Sequence, residues 1–259
     1  MATTHDAYYS SAERILVGSV PFVVTSIDEA AQFVLSRAGS ELPVPIRLAN
    51  AFCVASADSD KDYRAILQGP GLNFPDGQPV VWFMRAYGNA SRKPERVRGP
   101  SFFEHCLKMG RLYKTRHFFV GTSPSTLNAL TAAVSARFPG AEIAGSYAPD
   151  FAPISEAMIE RIAYEVNSSD CDLVWVAMGT PKQDFVAAAL APVVNRPCIG
   201  VGAAFDFVAG TTREAPSWIQ RSSLEWLYRL ATEPGRLWRR YLFGNARFLY
   251  VALLRRYRV

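Results

Sequence analysis

The centre of the chain alternates short apolar runs with longer segments of helical periodicity. The apolar runs occupy residues 117–121, 142–147, 172–178 and 198–203, and helical patterns at residues 123–138, 154–166 and 181–190 separate them. Consecutive parallel strands need such crossover helices, and strands that are covered on both faces are continuously apolar. The pattern therefore predicts an α/β fold with a parallel sheet and helices on both of its faces.

Local signals extend this pattern toward the N-terminus. Ser26 and Glu29 form a capping box for a helix that runs to Ser36, residues 46–49 predict a strand, and residues 58–67 predict a helix. No internal repeat, low-complexity segment or long linker interrupts the chain. We therefore expect one large domain followed by an appendage.

The net positive charge of the protein is concentrated near its C-terminus. Residues 211–259 hold ten arginines, no lysine and three glutamates, a net charge of +7 in a protein whose total is +5. Residues 1–210 are therefore slightly acidic. Arginine in the absence of lysine favours planar, bidentate contacts to phosphate.

Helical periodicity separates the charges of this segment from its apolar residues. One face carries Arg236, Arg239, Arg240, Arg247 and Arg258, and the other carries Leu237, Trp238, Tyr241, Leu242, Phe248, Leu249, Ala252 and Leu253. This pattern is typical of a helix in the headgroup region of a membrane. Two alternatives stay open: a helix packed on the protein's own core, and a nucleic-acid surface. We favour the membrane, expect no nucleic-acid partner, and divide the chain into a core (residues 1–210) and a membrane-associating appendage (residues 211–259).

Composition and targeting signals indicate a folded protein of the cytoplasm. Hydrophobic residues make up 49% and charged residues 20% of the 259 residues, which allows a sizeable core. No apolar run approaches the ~20 residues that span a bilayer, so we expect peripheral contact with the inner face of the plasma membrane. Residues 1–12 lack the basic and then apolar order of a signal peptide. The four cysteines are too widely spaced for a zinc or disulfide motif.

Ligands of parallel sheets bind beyond the carboxyl ends of the strands. Glycines at these ends, followed by helix N-termini, offer backbone N–H groups to a phosphate. The sequence GxGxxF at residues 200–205 lacks the third glycine of a dinucleotide fingerprint, and the chain contains no Walker motif, so no nucleotide cofactor is predicted. The strand-end candidates are Asn50, Gly121, Thr122, Gly179, Thr180, Pro181, Lys182, Gln183 and residues 202–206.

Asp76 stands in the sequence PDG, immediately before an apolar stretch at residues 79–84. Its proline and glycine neighbours favour a turn aspartate or a helix N-cap. The alternative is a carboxylate held by a tight turn as a general base, which would accept a proton from a hydroxyl group of a substrate. Spacing alone leaves both interpretations open.

Other polar candidates also have structural alternatives. Gln183 stands where a capping box would place it, and Arg96 and Arg98 could be solvated loop charges. Asp58 and Asp60 form a DxD, a pattern that binds a divalent metal in many sugar transferases. Here the pair opens a predicted helix, where the helix dipole favours acids, so we expect a structural role and no metal site.

An ordered series of short motifs resembles the WecG/TagA/CpsF family, bacterial glycosyltransferases that act on membrane-bound, lipid-linked sugars. The resemblance covers roughly residues 15–245, and the combination of motifs is highly specific although no single motif is. In chain order the motifs are Asn50, PDG at 75–77, ERVRG at 95–99, FFVGTSP at 118–124, AMGTPKQD at 177–184, GVGAAFDFVAG at 200–210, APSW at 215–218 and LEWLYRL at 224–230.

The resemblance implies an inverting, metal-independent transferase with a Rossmann-like α/β core and no cofactor. It would move a sugar from a UDP-sugar to a polyprenyl-diphosphate-linked sugar during the synthesis of a cell-surface polysaccharide or exopolysaccharide. N-acetylmannosamine, its uronic acid and glucose are donors within the family, and this sequence does not select among them.

The resemblance also implies roles for individual residues. Asp76 would be the general base, Asn50 would position substrate, and Arg96 and Gln183 would be polar groups of the active site. Arg229, Arg236 and Arg239 would bind the lipid diphosphate. The arginines expected to contact anionic headgroups are Arg240, Arg247, Arg255, Arg256 and Arg258. The UDP-sugar would meet Gly121, Thr122, Gly179, Pro181, Gly202, Phe205 and Asp206.

Three positions depart from the family pattern. Leu48 stands where threonine is usual, Glu214 where arginine is common, and Ser223 where glycine is common. Leu48 adjoins the predicted site and is the departure expected to bear on the donor sugar. Two rival interpretations remain: another nucleotide-dependent Rossmann-type enzyme, and a non-catalytic module that binds RNA or anionic lipid.

Overall fold

A computed structural model describes residues 12–39, 43–221, 225–232 and 234–254. A short antiparallel hairpin, β1 (Arg14–Val17) and β2 (Val20–Val23), precedes the central sheet. The sheet is parallel throughout and has the order β4-β3-β8-β7-β5-β6. Its strands are β3 (Pro45–Ala49), β4 (Leu72–Pro75), β5 (Arg116–Gly121), β6 (Glu142–Tyr147), β7 (Leu173–Ala177) and β8 (Cys198–Gly200).

Helices cover both faces of this sheet, which confirms the predicted α/β class and its Rossmann-like layers. The helices in the first half of the chain are α1 (Ile27–Leu35), α2 (Ala51–Ser59), α3 (Lys61–Gln68), α4 (Gln78–Tyr87) and α5 (Gly99–Tyr113). Those in the second half are α6 (Pro124–Arg137), α7 (Glu156–Asn167), α8 (Lys182–Val194), α9 (Ala204–Ala209), α10 (Ser217–Arg221), α11 (Glu225–Thr232) and α12 (Pro234–Leu254).

Side-chain caps set several helix starts. The capping box of α1 is present, because the Glu29 N–H donates to Ser26 Oγ at 3.3 Å and the Ser26 N–H donates to Glu29 Oε2 at 2.9 Å. The helix predicted at residues 58–67 is confirmed from Lys61 onward, but its predicted start is wrong, because Asp58 and Ser59 still belong to α2. The chain breaks at Asp60, which has an extended backbone and whose Oδ1 accepts the N–H of Tyr63 at 2.9 Å to begin α3.

The two faces of the sheet bury different sets of side chains. One face packs α1, α5, α6 and α9 over an aromatic cluster in which Phe103 lies 4.9 Å from Trp175 and 5.4 Å from Phe205, measured between ring centroids. The other face packs α2, α3, α4, α7, α8 and α12. The helices that follow the adjacent strands β3 and β8, namely α2 and α9, therefore lie on opposite faces. Such a switch point opens a crevice at the carboxyl ends of the two strands.

The C-terminal half of α12 belongs to the core of the protein. Phe248, Val251 and Ala252 are buried in the same cluster as the hairpin and α2. Arg247, which we expected at lipid headgroups, donates instead to the Asp58 carboxylate from Nε at 3.2 Å and from Nη2 at 2.8 Å. This half of the helix therefore follows the own-core alternative. Within the described part of the chain, no helix combines the length and apolarity needed to cross a membrane.

Candidate active site

The carboxyl ends of β3, β4 and β8 meet at one edge of the sheet. Asn50 follows β3, Asp76 follows β4 and Gly202 lies two residues beyond β8. The segment before α5 closes the same edge, because the Val97 N–H donates to the Pro75 carbonyl at 2.9 Å. The structure thus brings together polar residues that are well separated in the sequence.

Asp76 is held by backbone contacts on two sides. Its own N–H donates to the Ala49 carbonyl at 2.8 Å, and its carboxylate accepts the N–H of Gly99. A Cβ at Gly99 would lie 3.2 Å from the Val201 carbonyl oxygen and 3.9 Å from Asp76 Oδ2, so glycine permits this close approach. Gly77 is the N-cap of α4, which means that Asp76 does not cap the helix. The turn therefore presents the carboxylate to the crevice edge.

Charges of both signs act on Asp76. Burial raises the pKa of Asp76 to about 6, and the nearby Glu225 carboxylate contributes to the rise. The guanidinium groups of Arg98 and Arg96 and the Gly99 N–H oppose it. At neutral pH the group is therefore ionised, yet it is a stronger base than an ordinary aspartate, which is the property a general base needs.

Asn50 caps α2 beside this carboxylate. Its Oδ1 accepts the N–H of Phe52 at 3.0 Å and that of Cys53 at 3.4 Å. A Cβ at Gly77 would lie 3.6 Å from the Asn50 Cβ, which places Asn50 against the PDG turn. Because the carbonyl oxygen caps the helix, the Nδ2 hydrogens are what this side chain can offer to a ligand.

Gln183 organises the end of β8 from the first turn of α8. The side chain is buried, and its Oε1 accepts the N–H of Gly202 at 3.0 Å. The alternative of a capping box to Thr180 is therefore wrong, since α8 begins at Lys182 with Pro181 as its N-cap. Gln183 therefore fixes the backbone at Gly202, after β8, rather than the start of α8.

The strand-end glycines have backbones that L side chains rarely adopt. The angle φ is +117° at Gly121, +76° at Gly179 and +59° at Gly202, and Thr122 also has a positive φ of 55°. A Cβ at Gly121 would lie 2.5 Å from the Ala177 carbonyl, whereas one at Gly179 would meet no atom within 4 Å. Gly121 is thus fixed by packing, and the Gly179 loop borders open space.

Two other residues that were predicted to contact the UDP-sugar, Phe205 and Asp206, lie beyond β8 in α9. Phe205 is fully buried between Phe103 and Phe119, so its side chain serves the core and is not available to a ligand. The Asp206 carboxylate accepts the hydroxyl of Thr211 at 3.3 Å and remains partly accessible.

Arg96 and Arg98 hold the appendage against this edge. Arg96 Nη2 donates to the Gln220 carbonyl at 3.0 Å. Arg98 is buried, contrary to its interpretation as a solvated loop charge, and donates to Glu225 and Glu214 at distances of 2.6–2.9 Å. The motif ERVRG pointed to this segment, but the glutamate partners lie more than one hundred residues away, where local patterns give no signal.

The DxD carboxylates are engaged separately. Asp60 caps α3 as expected of an acid at a helix start, whereas Asp58 lies in the last turn of α2 and binds Arg247, so the pair does not open one helix. Within the ranges that the structure describes, no group of three or more His, Cys, Asp or Glu side chains is placed to hold a metal ion. The predicted lipid-diphosphate residues Arg229, Arg236 and Arg239 lie on α11 and α12, but their side chains are outside the described part of the structure.

Sequence reasoning missed a buried polar cluster behind the site. The Tyr63 hydroxyl donates to Asp184 Oδ2 at 2.6 Å, and Arg47 Nη2 donates to the Pro70 carbonyl at 2.6 Å. Burial raises the pKa of Asp184 to about 6, against the effects of the Tyr63 hydrogen bond and the Arg47 charge. Asp184 follows Gln183 in the first turn of α8, so its hydrogen bond with Tyr63 fixes the start of that helix. Its three residues come from separate elements, and no short motif joins them.

Comparison with known proteins agrees with the family resemblance of the sequence motifs. A family model described as "Glycosyl transferase WecG/TagA/CpsF family" matches residues 15–259. A protein of Bacillus subtilis (strain 168), named N-acetylglucosaminyldiphosphoundecaprenol N-acetyl-beta-D-mannosaminyltransferase, is 31% identical over 188 residues, 72% of this chain and 70% of the relative. A protein of the same name from Bacillus spizizenii is 33% identical over 181 residues, 70% of this chain and 67% of the relative.

Proposed function

This chain belongs to the WecG/TagA/CpsF family of glycosyltransferases, and we propose that it transfers a sugar from a UDP-sugar to a polyprenyl-diphosphate-linked sugar, with inversion and without a metal ion. The names of the two Bacillus relatives specify an N-acetylmannosaminyl group and a diphosphoundecaprenol-linked N-acetylglucosamine acceptor. An acceptor of this class fits a protein that assembles a cell-surface polysaccharide or exopolysaccharide.

The environment of Asp76 is the observation that carries this proposal. Inversion at an anomeric carbon is a single displacement, in which one base removes a proton from the acceptor hydroxyl while the donor loses UDP. A carboxylate whose pKa is raised to about 6 accepts that proton more readily than an ordinary aspartate. Asn50, through Nδ2, is suited to orient a hydroxyl or phosphate oxygen beside it.

The departing UDP must be stabilised by positive charge or by N–H donors. Arg96 lies at the same edge as Asp76, and the loops at Gly121, Gly179 and Gly202 follow strand ends where backbone N–H groups can face a phosphate. We therefore place the donor along these loops, with Thr122, Pro181 and Asp206 beside it. Gln183 acts on this subsite by fixing Gly202.

The appendage would bring the acceptor to this edge. Arg96 binds α10 and Arg98 binds α11, so the appendage meets the crevice directly. Trp218, Trp226 and Trp238 are exposed on it. Aromatic and arginine side chains together suit a membrane interface, where Arg229, Arg236 and Arg239 would bind the lipid diphosphate. This arrangement supports peripheral attachment to a membrane, and we propose the cytoplasmic face as its site.

A coupled assay tests the proposal. The purified full-length protein is incubated with a panel of UDP-sugars and a polyprenyl-diphosphate-linked N-acetylglucosamine, and UDP release is measured together with the anomeric configuration of the product. We expect UDP release only when donor and acceptor are both present, an inverted product, and full activity in a metal chelator. Release without acceptor, a retained configuration or loss of activity in the chelator would contradict the corresponding part of the proposal.

A further inference from the structure

A single buried guanidinium joins the appendage to the core beside the proposed base. Arg98 is 4% exposed. Its Nε and Nη2 donate to the two carboxylate oxygens of Glu225 at 2.9 and 2.6 Å, and its Nη1 donates to Glu214 at 2.7 Å. Bidentate pairing of this kind fixes both the distance and the orientation of the partners. Glu225 lies on α11 and Glu214 precedes α10, so Arg98 ties two parts of the appendage to the core.

The same arginine is connected to Asp76 through the backbone. Arg98 directly precedes Gly99, whose N–H donates to the Asp76 carboxylate. The Val97 N–H on its other side donates to the Pro75 carbonyl at 2.9 Å, next to Asp76 in the chain. A shift of Arg98 would therefore move the peptide that holds Asp76.

The charges that face Asp76 come from two elements in the described part of the chain. Arg96 and Arg98 precede α5, and Glu225 lies on α11. While the appendage is docked, Glu225 and Glu214 offset the positive charge of Arg98. Undocking would remove Glu225 and leave Arg98 uncompensated near Asp76. Both changes favour the ionised carboxylate and so weaken it as a base.

We propose that Arg98 is a positioning residue through which the docked appendage sets the electrostatic environment of Asp76. This inference rests on the proposed function, in which Asp76 removes the proton of the acceptor hydroxyl. The docked protein then has the stronger base, and the undocked protein has a weaker one. Acceptor deprotonation is thus tied to the presence of the segment that meets the lipid-linked acceptor.

The titration of Asp76 in the full-length protein tests this coupling. The protein is labelled with ¹³C-carboxyl aspartate, and the Asp76 resonance is assigned by its loss in Asp76→Asn. Glu225→Gln and Glu214→Gln form a matched pair, because each removes one carboxylate from Arg98 but only Glu225 also acts directly on Asp76. We expect Glu225→Gln to lower the titration midpoint by about half a pH unit or more, and Glu214→Gln to lower it by clearly less. Equal midpoints in all three proteins would overturn the inference.

A second variant keeps the charge but loses the bidentate geometry. Arg98→Lys should increase amide hydrogen exchange at least severalfold across residues 217–221 and 225–232, and should lower the Asp76 midpoint with it. If exchange in Arg98→Lys rises but the Asp76 midpoint stays unchanged, the coupling is contradicted. Wild-type exchange in Arg98→Lys would contradict it too, because the appendage would then be docked without the bidentate pair. Neither readout requires sugar transfer. Absence of transfer by the wild type would therefore contradict the proposed function alone, and unchanged titration would contradict this inference alone.

Discussion

At the scale of single residues, the site depends on a few side chains whose surroundings change their chemistry. Asp76 remains partly accessible at the sheet edge, while its carboxylate is crowded enough for burial to raise its pKa to about 6. Leu48, which departs from the family pattern, is buried near Gly99: a Cβ at Gly99 would lie 3.5 Å from Leu48 Cδ1. Leu48 therefore packs around the Gly99 peptide that holds Asp76 and, unlike threonine, brings no hydroxyl group to it.

Replacement of the base should remove catalysis and leave the fold intact. We expect Asp76→Asn to lower kcat by about 10²–10⁴-fold, the range typical of a general base, with UDP binding nearly unchanged. Steady-state kinetics and calorimetry measure the two effects. Asp170→Asn is the control, since Asp170 is an exposed aspartate just before the amino end of β7, whereas the site lies at the carboxyl ends of the strands. Transfer at the wild-type rate by Asp76→Asn would exclude the assignment.

The same substitution should change stability in a pH-dependent way. In the folded protein the pKa of Asp76 rises from an ordinary 3.8 to about 6, so the folded state holds the proton more tightly than the unfolded chain. The wild type therefore loses stability from this group as pH rises from about 4 to about 6, and the deficit persists above that window. Asp76→Asn should match the wild type at pH 4 and exceed its unfolding free energy at pH 8 by about 1–3 kcal/mol. Urea denaturation at the two pH values measures this difference, and an equal difference at both would contradict it.

At the scale of elements, α12 combines a buried surface with an exposed one. Phe248 packs edge-on against Phe83, with ring centroids 5.3 Å apart, and Val251 lies against the hairpin. Leu249, Tyr250 and Leu253 on the same turns are about half exposed. The helix is therefore anchored by one face in its C-terminal half and leaves another face available.

A matched pair of substitutions tests this anchoring. Phe248 is 2% exposed and Leu249 is 49% exposed. Phe248→Ala should cost about 3–5 kcal/mol of unfolding free energy, the usual cost of truncating a buried phenylalanine. Leu249→Ala should cost well under 1 kcal/mol, because much of its side chain already contacts water. Chemical denaturation separates the two, and equal costs would show that the helix end does not pack as described.

Periodicity and caps predicted the elements that depend on local signals. Five of the six parallel strands, the capping box at Ser26 and the strand-end location of Asn50 follow from such signals. The strand β4, and with it the strand-end location of Asp76, was not predicted. The break at Asp60 was missed because an N-cap and a mid-helix aspartate look alike in an acidic stretch. The pairs Arg98–Glu225 and Arg247–Asp58 could not be predicted, since each joins residues more than one hundred positions apart through tertiary packing.

At the scale of the whole molecule, the appendage places exposed aromatic side chains next to the sheet edge that carries Asp76. Arg96 and Arg98 hold α10 and α11 there, and α12 returns to the core at Phe248. Removal of everything after Gly210 would uncover the apolar cluster that receives Phe248. Truncation is therefore expected to lower stability as well as membrane binding, and surface substitutions give the cleaner test.

Membrane attachment should depend on the exposed tryptophans of the appendage. We expect Trp218→Ser to reduce binding to vesicles of phosphatidylglycerol and phosphatidylethanolamine by about tenfold, because a large apolar side chain no longer enters the interface. Tyr164→Ser is the control: Tyr164 is 63% exposed on α7, close to the 64% of Trp218. Sedimentation with vesicles gives the measurement. Equal effects of the two substitutions would assign the binding to general surface hydrophobicity.

The contact between the hairpin and α12 has a consequence for biosynthesis. A Cβ at Gly18, in the hairpin turn, would lie 2.6 Å from Val251 Cγ1, so the two segments pack without a gap. They are separated by more than two hundred residues of sequence. During translation the apolar side of the hairpin therefore stays uncovered until α12 leaves the ribosome, much later. Nascent chains that stall before residue 248 should present this uncovered surface to chaperones, and release of α12 should end that exposure.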